Sequence, residues 1–581
     1  MRRVMLTAGG ARLVLLGGAI AVLALLAAGL ALALPDQDAP PAPARPQHPA
    51  EFASAHVTTR GTRAAPRSAA AAQAVLTVSP SASGTPVPAS YFGLSTEYWT
   101  LPLFELNMPV FTRVLSLLHV PGNGPLVLRI GGDSADRSFW TPKARVRMPN
   151  WAFTVTPAFL ARLSSLVQRE PIKLIVDLNL VTDTPLTAAT WAHAAETSLP
   201  RGSILGFEVG NEPDIYNRHY WVAMIARSPL QARPLPLELT PDTYVDDFNA
   251  YARVLIAGAP DVRLIGPAVA HARVGLKWIK TLIADDRPEL GAVSAHLYPY
   301  SKCVKHRSSP SYPTVGRLLS WRAAGGLAED VAGAVAVAHG AGLKFRLTEF
   351  NSVTCGGKAG VSNTFATALW APDALFTLMR AGVDGVNLHV RAYPINAPFT
   401  LSRRGLTPRP LLYGLVMFSR TLGADARLLR VRMSRPRSES LSAWAVRVRS
   451  DVLHVLLIDK SNRTVRVDLH VPATGPATVQ RLLAPSASST AGETLDGQRL
   501  GPSGTWIGKR LTQTVAAGPH GYVLTVPRRS AALVSLRIAS RGTAAPATKK
   551  GRHRTAVRHR ARSHARATIV AEQPERRRAR A

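Results

Sequence analysis

Two glutamates in this chain stand where apolar runs end. One run reads Ile204-Leu205-Gly206-Phe207-Glu208-Val209-Gly210-Asn211-Glu212-Pro213, the other Phe345-Arg346-Leu347-Thr348-Glu349-Phe350-Asn351. Carboxyls at the ends of two buried strands can face each other across one pocket, the arrangement that glycosidic hydrolysis needs. One must be protonated to release the leaving oxygen, and the other ionised to attack the anomeric carbon. Mutual repulsion, with burial of one of them, sets their pKa values apart. A lone strand-end glutamate is more often solvated or ion-paired; the joint pattern carries the reading. Asn211, just before Glu212, can hydrogen-bond a sugar 2-hydroxyl, and Pro213 turns the chain away from the strand. Glu208 falls four residues before Glu212 and reads as a barrel-interior partner.

The elements that must position these residues are legible as eight short apolar or β-rich runs: Tyr91–Trp99, Leu126–Gly132, Lys173–Leu180, Ile204–Glu212, Arg263–Ala270, Ala292–Pro299, Phe345–Ser352 and Val383–Val390. They are nearly continuous apolar stretches, as expected of strands covered on both faces. Segments with helical spacing lie between them, including Pro157–Arg169, Pro241–Gly258, Val274–Ala284 and Asn363–Ala381. Strand–helix alternation of this length predicts an α/β fold, a (β/α)8 TIM barrel over 74–424. No Gly-rich phosphate loop follows the first strand, which disfavours an open doubly wound sheet. Beyond Leu422 short strands separated by turns predict a C-terminal β-sandwich domain over 425–540. An early strand near Val75–Val78 precedes the barrel without a helix and can pair into that domain. In such a barrel functional side chains emerge at the C-terminal strand ends, which adds Glu97 and Asp133 as pocket-rim residues. The 16 histidines are scattered, and no cluster has metal-ligand spacing; no metal or cofactor is expected.

The ends read differently. Residues 1–34 combine a basic start, an apolar run and a small-x-small exit, which fits a secretory signal peptide or an uncleaved N-terminal anchor. Either one places the bulk of the chain in a secreted or cell-surface location. Residues 35–73 are Ala-, Pro- and Arg-rich, the composition of a disordered linker. The formal net charge is +34, and the 541–581 tail holds 13 Lys/Arg against 2 Asp/Glu. Such a tail cannot bury a core; it is either a contact to an anionic cell envelope or a solvated end. The basic body favours an acidic partner, with no specific nucleic acid indicated. Two cysteines, Cys303 and Cys355, form an even pair that an oxidising compartment would join in a disulfide; two separate buried thiols are the alternative.

Three stretches together resemble glycoside hydrolase family 79, which contains β-glucuronidases and heparanase. They are Leu128-Arg129-Ile130-Gly131-Gly132-Asp133-Ser134-Ala135-Asp136, Glu208-Val209-Gly210-Asn211-Glu212-Pro213-Asp214 and Thr348-Glu349-Phe350-Asn351-Ser352. The Gly-Asn-Glu-Pro piece is shared by the wider clan of retaining barrel glycosidases. The resemblance spans roughly Thr77 to Ile538 and implies a retaining double displacement on a β-linked carbohydrate substrate. Glu349 would be the nucleophile, Glu212 the acid/base and Tyr298 the residue orienting Glu349. It further implies that backbone N–H groups of the Gly356-Gly357 loop bind a uronate carboxylate, although a Gly-Gly pair is also an ordinary turn. One departure bears on the sugar: Asn387-Leu388-His389-Val390 has no tyrosine where glucuronate-reading members can carry one, with Tyr393 a substitute further along. Two other readings stand beside this one, hydrolysis of a neutral β-glycan and non-catalytic binding of an envelope polyanion.

Overall fold

The computed structural model describes residues 72–538, except 82, 144–147, 149, 218–238, 259–260, 286–287, 435–439 and 473–474. The signal or anchor, most of the linker and the basic tail therefore lie outside the described residues. Eight parallel strands close into a barrel: Phe92–Glu97, Leu126–Gly131, Ile172–Leu178, Ile204–Val209, Leu264–Val269, Leu290–Leu297, Lys344–Phe350 and Gly385–His389, the eighth pairing with the first. Each falls within or close to the run that announced it. The fourth ends three residues earlier than its run, because Gly210 and Glu212 take positive φ and break the extended chain.

Three of the helices between strands begin on the same dipeptide. Thr156-Pro157, Thr184-Pro185 and Thr240-Pro241 open Pro157–Arg169, Pro185–Ser198 and Pro241–Gly258. Each threonine hydroxyl accepts the backbone N–H three residues on, at 3.2–3.3 Å. The proline adds a preset φ where no intrahelical N–H is needed. The barrel interior is layered. Val127, Ile175 and Ile265 form a small apolar plug, and Arg129 and Asp177, each two residues further along its strand, form with Glu208 a buried ionic layer.

The β-domain packs two sheets around its own core. Its smaller sheet places Ala72–Val78 between Val431–Ser434 and Val465–His470, and Thr85–Pro86 joins the edge of the larger one. Residue 74 therefore opens the β-domain; the barrel begins at Phe92, and the boundary expected from the sequence shifts accordingly. The reason is physical: Ala74, Leu76 and Val78 bury one face against the sandwich, a period-2 pattern that a local reading cannot assign to a partner some 390 residues away. The helix Phe365–Arg380 is buried along its length between barrel and sandwich. Its Asp373 receives Lys460 Nζ at 2.6 Å, Trp444 Nε1 at 2.8 Å and Ser442 Oγ at 2.9 Å, all from the β-domain.

Candidate active site

At the fourth strand the backbone itself aims the side chains. Gly210 has φ +77°, the Asn211 N–H donates to the Tyr216 hydroxyl at 2.9 Å, and Glu212 sits in the left-handed region at φ +53°, ψ +52°. For a non-glycine residue that conformation costs on the order of 1–2 kcal/mol. It is held by the Glu212 N–H on the Ala268 carbonyl at 3.0 Å and by a short 3-10 turn from Pro213. Asp136 fixes the other side of this turn by accepting the Tyr216 hydroxyl at 2.5 Å. Glu212 Oε1 lies 2.9 Å from His296 Nδ1, and the side chain keeps 18% exposure.

Glu349 is held more tightly. Tyr298 donates its hydroxyl to Oε1 at 2.6 Å, His389 Nδ1 lies 3.0 Å from the same oxygen, and Arg129 Nη1 donates to Oε2 at 3.3 Å. Burial alone would raise its pKa, yet His389, His296 and Arg129 together hold the carboxyl well below the ordinary range. One oxygen each of Glu212 and Glu349 and a ring nitrogen of His296 lie within 4.8 Å of one another. The sequence shows no metal-ligand spacing, yet these three groups converge in space. His296 Nδ1 is already bonded to Glu212 and both Glu349 oxygens have partners, so the cluster fits a hydrogen-bonded proton-transfer site better than a cation cage.

Arg129 is the hub beneath. It is fully buried and donates to Glu208 at 2.5 Å, Asp177 at 2.8 Å, Asn211 Oδ1 at 2.9 Å, and Ser95 and Glu349 at 3.3 Å. Glu208 thus has the interior partner its position suggested. With its oxygen accepting from Arg129, Asn211 has only its amide N–H2 left to donate. The two glycines of Arg129-Ile130-Gly131-Gly132-Asp133 admit this ionic layer: a Cβ on Gly131 would meet Asp177 Cβ at 2.4 Å, and one on Gly132, at φ +73°, would meet the Glu97 carboxylate at 2.9 Å.

Glu97 is buried, accepts the Ser134 N–H at 2.8 Å, and lies 3.6 Å from His389 Nε2 and 3.7 Å from Arg391 Nη1. Asp133 is half-buried near it; burial, then the charges of Glu97, Glu212 and Glu349, push its carboxyl up to about 7. Cys303 and Cys355 are joined in a disulfide that ties the loop after the sixth strand to the loop after the seventh, beside the paired strands Tyr300–Ser301 and Val353–Thr354. Gly356 and Gly357 both adopt positive φ, but the Gly357 N–H donates to the Thr354 carbonyl at 3.2 Å. The Gly357 N–H is thus engaged within its own turn. Tyr393 is 69% exposed. The eighth-strand position is taken by His389, which sequence reasoning passed over in looking for a tyrosine. Arg129, His296 and Arg391 were also missed. The signal for Arg129 was a guanidinium inside an apolar run, which demands buried partners.

His389 supplies a pH test. Burial opposes its charge, but Glu349 and Glu97 outweigh burial and raise it to about 9. A histidine raised above its unfolded value of 6.5 contributes stability that is full below that value and is lost as pH rises through about 9. The difference in unfolding free energy between wild type and His389→Gln is therefore expected to be largest below pH 6.5 and to shrink steadily towards pH 9. Denaturant melts across pH 5–10 measure it; a pH-independent difference would refute the assignment.

No protein-family model matches the chain. A β-glucuronidase of Aspergillus niger is 23% identical over 558 residues, which cover 84% of this chain and 97% of the relative. A solved 4-O-α-L-rhamnosyl-β-D-glucuronidase from Fusarium oxysporum superposes with a TM-score of 0.63 at 16% identity, over 80% of this chain and 100% of its own. A family 51 arabinofuranosidase from Xanthomonas axonopodis superposes at 0.59 with 14% identity, over the same shares. At such identities the solved structures establish the fold. A closed barrel with converging carboxyls at one end, and a glycosidase relative along most of its length, define the class: the chain is a glycoside hydrolase, and its substrate is a carbohydrate. Within that class its likeness is to glycoside hydrolase family 79, whose strand-two, strand-four and strand-seven motifs it carries.

Proposed function

We propose that the chain hydrolyses β-linked glucuronides with retention of configuration, Glu349 acting as nucleophile and Glu212 as general acid and base. The carrying observation is the approach of the two carboxyls, with oxygens within 4.8 Å of each other. Retaining pairs stand about 5–5.5 Å apart, whereas an inverting pair leaves about 6.5–9.5 Å for a water molecule. Glu349, kept ionised by His389, His296 and Arg129, attacks the anomeric carbon. The bond to the leaving oxygen breaks as Glu212 delivers its proton to that oxygen. Glu212, now a carboxylate, takes a proton from water, and the resulting hydroxide displaces Glu349 from the sugar. Tyr298 orients Glu349, His296 orients Glu212, and the Asn211 amide holds the 2-hydroxyl. Glu97 Oε1 is buried without a hydrogen-bond partner among the described residues; we assign it, with Asp133, to the remaining sugar hydroxyls.

The glucuronide reading is supported by the name of the Aspergillus niger relative and by the cationic groups His389 and Arg391 at the mouth. The disulfide fits an exported protein, and the basic tail suits contact with an anionic envelope. The test is a panel of aryl β-glucuronide, glucoside, galactoside and xyloside, with the first-formed anomer followed by NMR. The glucuronide is expected to lead, and the β-anomer to appear first. A leading neutral sugar would overturn the uronate, and an initial α-anomer would overturn retention.

A further inference from the structure

A glucuronide brings a negative charge into a mouth that already holds Glu97, Asp133, Glu212 and Glu349, so some cation must receive it. Arg129 is saturated by five acceptors, and His296 and His389 are bonded through Nδ1 to Glu212 and Glu349 while their Nε2 atoms are buried. Arg391, two residues past the eighth strand, is in a different state. Its side chain is 25% exposed, and its ion pair with Glu97 is 3.7 Å long, beyond hydrogen-bond reach. Among the described residues no hydrogen bond engages its guanidinium. Its Nη2 lies 3.8 Å from where a Cβ of Gly356 would stand, so the fork faces the seventh-strand loop, whose Gly357 N–H is already committed. Burial works against its charge, yet Glu97, Asp133, Tyr298 and Glu349 hold the guanidinium above its ordinary value.

Arg391 follows the eighth strand, the neighbour of the seventh strand that carries Glu349, and its guanidinium lies 3.7 Å from Glu97 at the end of the first. A sugar held at Glu349 therefore has beside it, in Arg391, a cation with no hydrogen-bonded partner among the described residues. We infer that Arg391 is the specificity-determining residue that receives the substrate's carboxylate, through the paired donors of its guanidinium, in the place where the glycine loop offers too few N–H groups. A planar fork matches a carboxylate in a way that a lysine ammonium does not. The inference rests on the glucuronide reading above.

The experiment compares kcat/KM for p-nitrophenyl β-glucuronide and p-nitrophenyl β-glucoside in full-length wild type, Arg391→Met, Arg391→Lys and Arg391→Ala. Arg391→Met is expected to lose about 10²-fold on the glucuronide, the scale of a desolvated charge-assisted pair, while the glucoside changes less than about threefold. Arg391→Lys is expected to fall between, mainly through KM. Millimolar guanidinium should restore glucuronide turnover in Arg391→Ala without affecting the glucoside. Equal losses on both sugars would make Arg391 a mere countercharge for Glu97 and overturn the assignment. So would an unchanged glucuronide preference in Arg391→Met. A wild type that cleaves the glucoside and not the glucuronide would sink the substrate reading and this inference with it, a result told apart by needing no variant.

Discussion

Glu349→Ala is expected to abolish glucuronide turnover, with kcat reduced on the order of 10⁴-fold or more, the scale seen when a member of a covalent machinery is removed. Alanine leaves room at the anomeric face, so added azide should enter there and yield the α-glycosyl azide. Glu212→Ala is expected to differ in kind. Loss of general acid help costs about 10²–10⁴-fold, but the loss should shrink for dinitrophenyl leaving groups, which need no proton. Azide should rescue that variant as the β-glycosyl azide, because Glu349 still forms the glycosyl-enzyme. Product stereochemistry therefore separates the two roles even if both rates fall alike. Obtaining β-azide from Glu349→Ala, or wild-type turnover in either variant, would refute the assignment.

Arg129→Met is expected to be the most damaging change outside the two glutamates. It strands Asp177 and Glu208 in the barrel interior and removes a donor from Glu349. Breaking one partner of a buried ionic cluster costs about 3–5 kcal/mol, which denaturant melts would register. Arg129→Lys keeps the charge but cannot reach five acceptors from one ammonium; activity should fall more than stability does. Asp177 gives the contrast. Burial raises its carboxyl well above the ordinary range, with Arg129 opposing and Glu208 adding to the shift. It stands opposite Glu208 on the adjacent strand, and Asp177 Oδ1 and Glu208 Oε1 are both buried with no hydrogen-bond partner among the described residues. Asparagine is nearly isosteric with aspartate and its amide oxygen can still accept from Arg129. Asp177→Asn should retain activity within a few-fold, whereas Asp177→Ala should melt earlier. A crippled Asp177→Asn of normal stability would show that the layer needs all three charges.

The strands that carry the site could be read from the chain because each is a short apolar run whose last residues break the pattern with a charge. Gly-Asn-Glu-Pro is a local structure as well as a motif: Gly210 and Pro213 bracket a turn that Glu212 must enter with positive φ. The Thr-Pro helix starts are equally local. What could not be read are the partnerships. Arg129 and Glu349 are 220 residues apart and meet only because the barrel closes. His389 lies beside Glu349 because the eighth strand is the neighbour of the seventh, a relation that no spacing along the chain expresses.

The sequence by itself determined the alternation of strands and helices, the two glutamates at strand ends and the turn at Glu212, since these depend on hydrophobic period and backbone preference within a few residues. Tertiary structure alone decided the charge state of the site. The low pKa of Glu349, the raised one of His389 and the commitment of Gly357 to its own turn arise from groups brought within a few ångströms by closure. Electrostatic coupling falls off with distance in space and is indifferent to distance along the chain. For that reason the residue proposed to read the sugar, Arg391, became visible only once its neighbours were in place.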